Sequence, residues 1–172
     1  MGDRRRFDVF ARFVARLVPP ADRAGMRVAD VASGKGGLSW ALMQQGFRDI
    51  TPFEPRPRAG GQVVRLNIQV REFTPDDAAD FDVVVGMHPD EATDAILDGA
   101  ARHRALAVVS PCCVKPRVWP YGGLLGWQRA SHEEWHEHLV AQAAARGLAL
   151  QQGRLSMGGA NAVLWGGGSA AP

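Results

Sequence analysis

The segment VADVASGKGGLSWAL (28–42) sets a glycine-rich turn between a short apolar run and the start of a helical pattern. No other feature limits the fold as much. Gly34 and Gly36 permit positive φ and close approach of backbone to a ligand, and the following helix offers unpaired N–H groups at its first turn. Strand, glycine turn and helix in this order belong to open α/β sheets, which bind ligands beyond the carboxyl ends of their strands. Two nucleotide patterns fail. A G-x-G-x-x-G fingerprint needs Gly at 39, where Ser39 stands, and the phosphate pattern G-x-x-x-x-G-K-[ST] is absent.

The rest of the chain alternates strands with helices. Phe7, Phe10, Phe13, Val14 and Leu17 recur at helical spacing with Arg12 and Arg16 opposite, so 5–18 is expected to be an amphipathic helix packed on the core, ended by Pro19 and Pro20. A strand at 27–32 precedes the glycine turn, and a helix at 38–45 follows it, stopped by Gly46. Further strands are expected at 50–53, 62–67, 81–87 and 105–110, with a helix at 90–100 and a Pro-, Gly- and Trp-rich loop at 111–130. Ser131 with Glu134 forms a capping box that opens a helix to 146. Strands at 148–157 and 161–166, joined through Gly158-Gly159-Ala160, complete the pattern. The expectation is α/β: a Rossmann-like, doubly wound, seven-stranded and mainly parallel sheet with an antiparallel C-terminal hairpin strand. One domain spans 1–166, and 167–172 is a frayed tail.

Composition excludes several classes. The chain has 172 residues, 46% hydrophobic and 22% charged, which sets aside disordered and fibrous proteins. No apolar run is long enough for a membrane span, and the opening does not read as a signal peptide. The two cysteines are neighbours, which implies no disulfide framework and makes a reduced, cytoplasmic protein the default. Net charge is only +2, but it is uneven: residues 1–27 carry seven Arg against three Asp, and residues 99–131 carry four Arg and one Lys with no acid. That asymmetry is a weak pointer to nucleic acid.

The glycine turn resembles the D-x-G-x-G-x-G loop of class I S-adenosylmethionine-dependent methyltransferases. Asp30, Gly34 and Gly36 match that loop, while Ala32 replaces its first glycine. Glu54, 18 residues after Gly36 at the end of the second strand, stands where an acid accepts ribose hydroxyls. That spacing is shared with NAD-binding folds, but a dehydrogenase would need a substrate domain for which this chain has no room. The closing hairpin is similar to that of the methyltransferases, and the likeness covers almost the whole chain. GMHPDEATDAIL (86–97) and VSPCC (109–113) resemble a small subgroup with a His-Pro-Asp-Glu fourth-strand motif and a Pro-Cys-Cys fifth strand. Some relatives with a Cys-Cys ending are RNA methyltransferases that modify tRNA ribose. They carry His after the cysteines, where this chain has Val114-Lys115.

The resemblance implies S-adenosyl-L-methionine as cofactor, held by Asp30, Ala32, Ser33, Gly34, Gly36, Glu54, Asn67 and Met87. The acceptor is a small molecule or an RNA such as tRNA. His88 is the candidate general base, against the simpler reading of a ring that bonds backbone and shapes the pocket. Asp90 and Glu91 are explained by their place in a first helical turn. Cys112, Cys113, Trp119 and Tyr121 are candidate acceptor contacts. The cysteines are taken as small thiols lining the pocket, and no metal is expected, since zinc needs about four ligands. Trp119, Tyr121 and Trp127 interleave with Lys115, Arg117 and Arg129, which suits either a base-stacking platform or an apolar lid. HEEWH (132–136) matches a zinc-protease pattern, yet no Asp, Glu or His follows His138 to complete it. A non-catalytic module that keeps the fold remains the alternative to an enzyme.

Overall fold

The computed structural model describes residues 5–57, 66–121 and 130–167. Among these residues six strands form one sheet: β1 (Arg27–Val31), β2 (Asp49–Phe53), β3 (Val83–Met87), β4 (Leu106–Ser110), β5 (Leu150–Arg154) and β6 (Ala162–Gly167). Their spatial order is β2-β1-β3-β4-β6-β5. The first four are parallel, and β6 runs antiparallel between β4 and β5. The chain leaves β1 toward β2 on one side and returns to β3 on the other. The crevice between β1 and β3 is therefore the switch point at which such sheets bind ligands.

Seven strands are not found among the described residues. Of the segment expected as a third strand, 62–65 lie outside the described residues, and Leu66 and Asn67 are not in a strand. Among the described residues the edge of β2 is met by a single parallel bridge, Phe53 to Gln69. Gly167, expected in a frayed tail, is the last residue of β6.

Strand alternation explains the two-sided core. Val83, Val85 and Val108 face one layer with Val28 and Val163; Val84, Ala107 and Val109 face the other with Ala29 and Leu164. The first layer is α1 (Arg6–Leu17) and α2 (Gly37–Gln44), which supply Phe10, Val14, Leu38 and Leu42. The second is α3 (Thr93–His103) and α4 (His132–Ala144), with Ile96, Leu97, Trp135 and Leu139. Each such fully buried side chain contributes about 1.5–3 kcal/mol. The edge strand β5 exposes Gln151, Gln152 and Arg154, polar residues that discourage further pairing.

Local signals set the element ends. Ser131 Oγ accepts the Glu134 N–H at 3.2 Å, and Glu134 Oε2 accepts the Ser131 N–H at 2.7 Å, so the expected capping box starts α4. The helix expected from 90 begins instead as a short 3-10 turn, Asp90–Ala92, and becomes α-helical at Thr93. The 3-10 turn Pro75–Asp80 was not anticipated either; Thr74 and Asp77 cap it reciprocally, as Ser131 and Glu134 do α4. Among the described residues no helix is long and apolar enough to cross a membrane.

Much of the arginine excess is absorbed by the fold. Arg23 donates to the carbonyls of Ala15, Val18 and Gln45, tying the ends of α1 and α2. Arg27 pairs with Asp82, Arg71 with Asp77, and Arg102 and Arg146 both with the buried Asp98.

Candidate functional site

A cavity of about 840 Å³ opens at the carboxyl ends of β1, β2 and β3. Its walls include Ala32 to Lys35 from the glycine loop, Glu54 to Arg56 after β2, and Met87 to Ala92 after β3. Val31, Gly37 and Phe53, Arg6 and Phe7 of α1, Glu72, Phe73, Lys115 and Arg117 complete it. The volume is that of a pocket for a ligand the size of a nucleoside.

The glycine loop turns through the left-handed region at Ala32 (φ 57°), Gly34 (57°) and Gly36 (82°). Ala32 holds that conformation despite its Cβ, at a cost of about 1–2 kcal/mol that glycine would avoid. Three bonds compensate. The Ser33 N–H donates to Phe53 O at 3.0 Å, the Gly36 N–H to Ser33 O at 2.9 Å, and the Gly34 N–H to Glu54 Oε2 at 2.9 Å. The other Glu54 oxygen, Oε1, accepts the Arg56 N–H at 2.9 Å. A carboxylate has about four acceptor positions, so two remain for hydroxyls. Ser33 Oγ is buried on the same loop with no hydrogen-bond partner among the described residues. An orphaned hydroxyl there is a position a ligand polar group would fill.

Asp30 is placed differently. It is buried, accepts the Ser39 hydroxyl at 2.5 Å on Oδ2, and does not line the cavity. Burial pushes its carboxyl up to about 7, against the hydrogen bonds from Ser39. Its role here is to join β1 to α2. Gly36 and the exposed Asn67 do not line the cavity either.

After β3 the backbone is again left-handed at His88 (φ 57°) and Asp90 (49°), on either side of Pro89. Two non-glycine residues in this region cost about 1–3 kcal/mol each and gather at sites that use them. Gly86 leaves room for the turn: a Cβ there would meet Ile96 Cδ1 at 2.6 Å and Pro89 Cβ at 2.9 Å. His88 lines the cavity with Met87, and its Nε2 lies 3.0 Å from Ala160 O in the β5–β6 connection. A carbonyl only accepts, so Nε2 donates, and in the neutral ring Nδ1 is then the acceptor nitrogen.

The Asp90 carboxylate points at the end of β4. Its Oδ1 accepts both thiols, Cys113 at 2.9 Å and Cys112 at 3.2 Å, and its Oδ2 faces Lys115 Nζ at 3.6 Å. Burial pushes both thiols up from their ordinary range, with Asp90 adding to the shift. Such thiols are protonated, which disfavours them as nucleophiles. The cavity wall reaches Asp90 and Lys115 but not the cysteines.

Trp119 corrects the stacking expectation. It is 0% exposed, with Nε1 donating to Asp98 Oδ1 at 3.0 Å and the Arg146 guanidinium 4.9 Å above its ring. A core indole cannot stack on an arriving base. Tyr121 packs edge-on to Trp135 and His138 of α4 and does not line the cavity. Trp127 and Arg129 lie outside the described residues. His132 and His136 line a second cavity of about 580 Å³ with Glu133, Glu137 and Arg154, away from the glycine loop.

Arg6, Phe7 and Glu72 were missed as cavity residues. Phe7 carried a signal of another kind: a Cβ at Gly37 would come within 2.6 Å of its ring, so α1 lies directly on the start of α2.

No known protein-family profile matches the chain, and no curated protein sequence matches it. Solved structures do match. The plantazolicin methyltransferase BpumL, solved in complex with S-adenosylhomocysteine, aligns with a TM-score of 0.62 at 11% identity over 95% of this chain and 84% of that one. The methyltransferase domain of bacterial CtHen1 gives 0.60 at 14% identity, over 93% of this chain and 98% of that one. The sugar N-methyltransferase KedS8 from Streptoalloteichus gives 0.56 at 18% identity, over 94% and 87%. The chain therefore has the α/β fold of S-adenosylmethionine-dependent methyltransferases, with its cavity at the switch point of the sheet.

Proposed function

We propose that this protein is an S-adenosylmethionine-dependent methyltransferase acting on a polar acceptor. The reading is carried by the cradle at the glycine loop. There Ser33, whose buried hydroxyl has no partner among the described residues, and Glu54, whose carboxylate has two unused acceptor positions, border one cavity. A nucleoside with a ribose diol suits those groups. Ala32, Ser33, Gly34 and Glu54 would hold the cofactor, and Met87 would border it. Asp30 and Gly36 support the loop.

S-adenosylmethionine supplies a methyl group already activated on a sulfonium. What remains for the protein is to orient the acceptor and take its proton. His88 is the group for the second task, through Nδ1, because Ala160 O holds the proton on Nε2. The remaining wall carries both charges: Glu72, Asp90 and Glu91 against Arg56, Lys115 and Arg117. That wall suits an acceptor with polar groups of its own. An RNA acceptor loses one support, since Trp119 is in the core.

The test is calorimetric titration with S-adenosylmethionine and S-adenosylhomocysteine, with NAD as control. Micromolar binding of the two sulfur nucleosides and none of NAD is the expected result. Absence of both would remove the activity and leave a non-catalytic module with this fold.

A further inference from the structure

Asp90, Cys112 and Cys113 reach one another from two strand ends. The three ligand atoms lie within 4.8 Å, with Sγ to Sγ at 3.1 Å and Sγ to Oδ1 at 2.9 Å and 3.2 Å. Two neighbouring cysteines in an extended strand point to opposite sides. Here Cys112 and Cys113 stand just past the end of β4, and their sulfurs converge. The carboxylate arrives through the left-handed turn His88-Pro89-Asp90, and neither of its oxygens is spent on the helix that follows: Oδ1 takes the thiols, and Oδ2 faces Lys115. An acid serving only the first turn of a helix would not need that turn.

We propose that Asp90, Cys112 and Cys113 form a metal site for zinc(II), with three protein ligands and a fourth position left to water or a bound ligand. Two sulfurs and one oxygen are a donor set for zinc and unsuited to magnesium or calcium. A tetrahedral ion with Zn–S of about 2.3 Å and Zn–O of about 2.1 Å needs the sulfurs about 3.8 Å apart and each sulfur about 3.6 Å from the oxygen. The triangle must therefore open by about 0.4–0.7 Å, a movement that side-chain rotation supplies at partly exposed residues. Charge closes as well. Two thiolates and a carboxylate around a dication leave one negative charge, and the Lys115 ammonium 3.6 Å from Asp90 Oδ2 balances it. Zinc would displace the two thiol protons that now point at Asp90. The ion would stand beside the cavity wall at Asp90, where the acceptor of the proposed reaction is expected, but the site does not depend on that reaction.

The whole protein, reduced and stripped with a chelator, should be titrated with zinc against a chromogenic competitor and with cobalt(II) as a spectroscopic substitute. One zinc per chain and a near-ultraviolet thiolate-to-cobalt band are expected. Losing even an outer-shell partner costs about 10–100-fold in metal affinity, so Cys112→Ser with Cys113→Ser should weaken zinc by more than about 100-fold and abolish the band. Asp90→Asn, which keeps the volume, should weaken zinc at least about tenfold and leave the band present but shifted. His132→Ala with His136→Ala should change neither. Circular dichroism and thermal unfolding identify any variant that fails to fold, and the wild-type stoichiometry and band then carry the test with Asp90→Asn. Three results would overturn the site: no stoichiometric zinc, zinc retained by the folded double serine variant, or zinc lost with the two histidines.

Discussion

Glu54 accepts the backbone N–H of Gly34 at 2.9 Å and so holds the glycine loop from the neighbouring strand. The acid expected to recognise a ribose also fixes the loop across which the cofactor is proposed to lie, and the two roles separate by mutation. Glu54→Gln keeps the shape and one accepting oxygen but replaces the other with an amide donor. Glu54→Ala removes both. Calorimetry should give S-adenosylmethionine affinity reduced by about tenfold or more in Glu54→Gln and further in Glu54→Ala, as charge-assisted bonds of about 1.5–3 kcal/mol are lost. Equal affinity in all three proteins would remove Glu54 from the site.

Asp94 does comparable work for the loop after β4. Its Oδ2 accepts three successive backbone N–H groups, those of Arg117 (2.7 Å), Val118 (2.7 Å) and Trp119 (2.9 Å). The carboxylate is fully buried, so its removal orphans donors that water cannot easily reach. Asp94→Ala should cost about 2–4 kcal/mol in urea unfolding, and Asp94→Asn, which keeps an oxygen, clearly less. A loss under about 1 kcal/mol for Asp94→Ala would mean that the loop is held by Trp119 burial and the Arg117 contacts instead.

Asp30 makes stability depend on pH in an unusual direction. Its carboxyl stands at about 7 in the folded chain against an ordinary 3.8, so between those values the folded state binds more protons than the unfolded one. Stability therefore falls as pH rises through that window, by at most about 1.4 kcal/mol per unit, and levels off above 7. Asp30→Asn keeps an acceptor for Ser39 without the buried charge. Denaturant midpoints from pH 4 to 8 should slope downward less in the variant than in the parent protein. Superimposable slopes would show that Asp30 is ionised throughout.

The parallel architecture was legible because strand and helix periods alternate cleanly and because Gly46, Pro19 and the Ser131–Glu134 pair mark element ends locally. What escaped was set by distant contacts. Trp119 reads as a surface aromatic beside Arg117, yet Asp94 and Asp98, about twenty residues earlier, supply the hydrogen bonds that let it enter the core. Asp90 reads as a helix-start acid, and only the left-handed turn at His88 and Asp90 brings it to the cysteines. The pattern led to Ala32, Gly34 and Glu54, which the fold brings to one cavity wall; it did not lead to Arg6 and Phe7, because helical periodicity reports which face is buried and not what lies above it.

His88 offers the sharpest division between chemistry and scaffold. Nε2 is engaged with Ala160 O at 3.0 Å, so the ring both anchors the β5–β6 connection and, in the proposed reaction, presents Nδ1 as a base. His88→Ala loses both functions. His88→Gln retains a donor for the carbonyl and has no basic nitrogen. If Nδ1 takes the acceptor proton, both variants should lose about 100-fold or more in kcat while binding S-adenosylmethionine as before. The positive φ at His88 adds a control, since Ala relieves none of that strain and thermal unfolding separates misfolded from inactive protein. Recovery of the rate in His88→Gln alone would assign the residue to positioning, through Ala160, and would leave the acceptor to lose its proton to water.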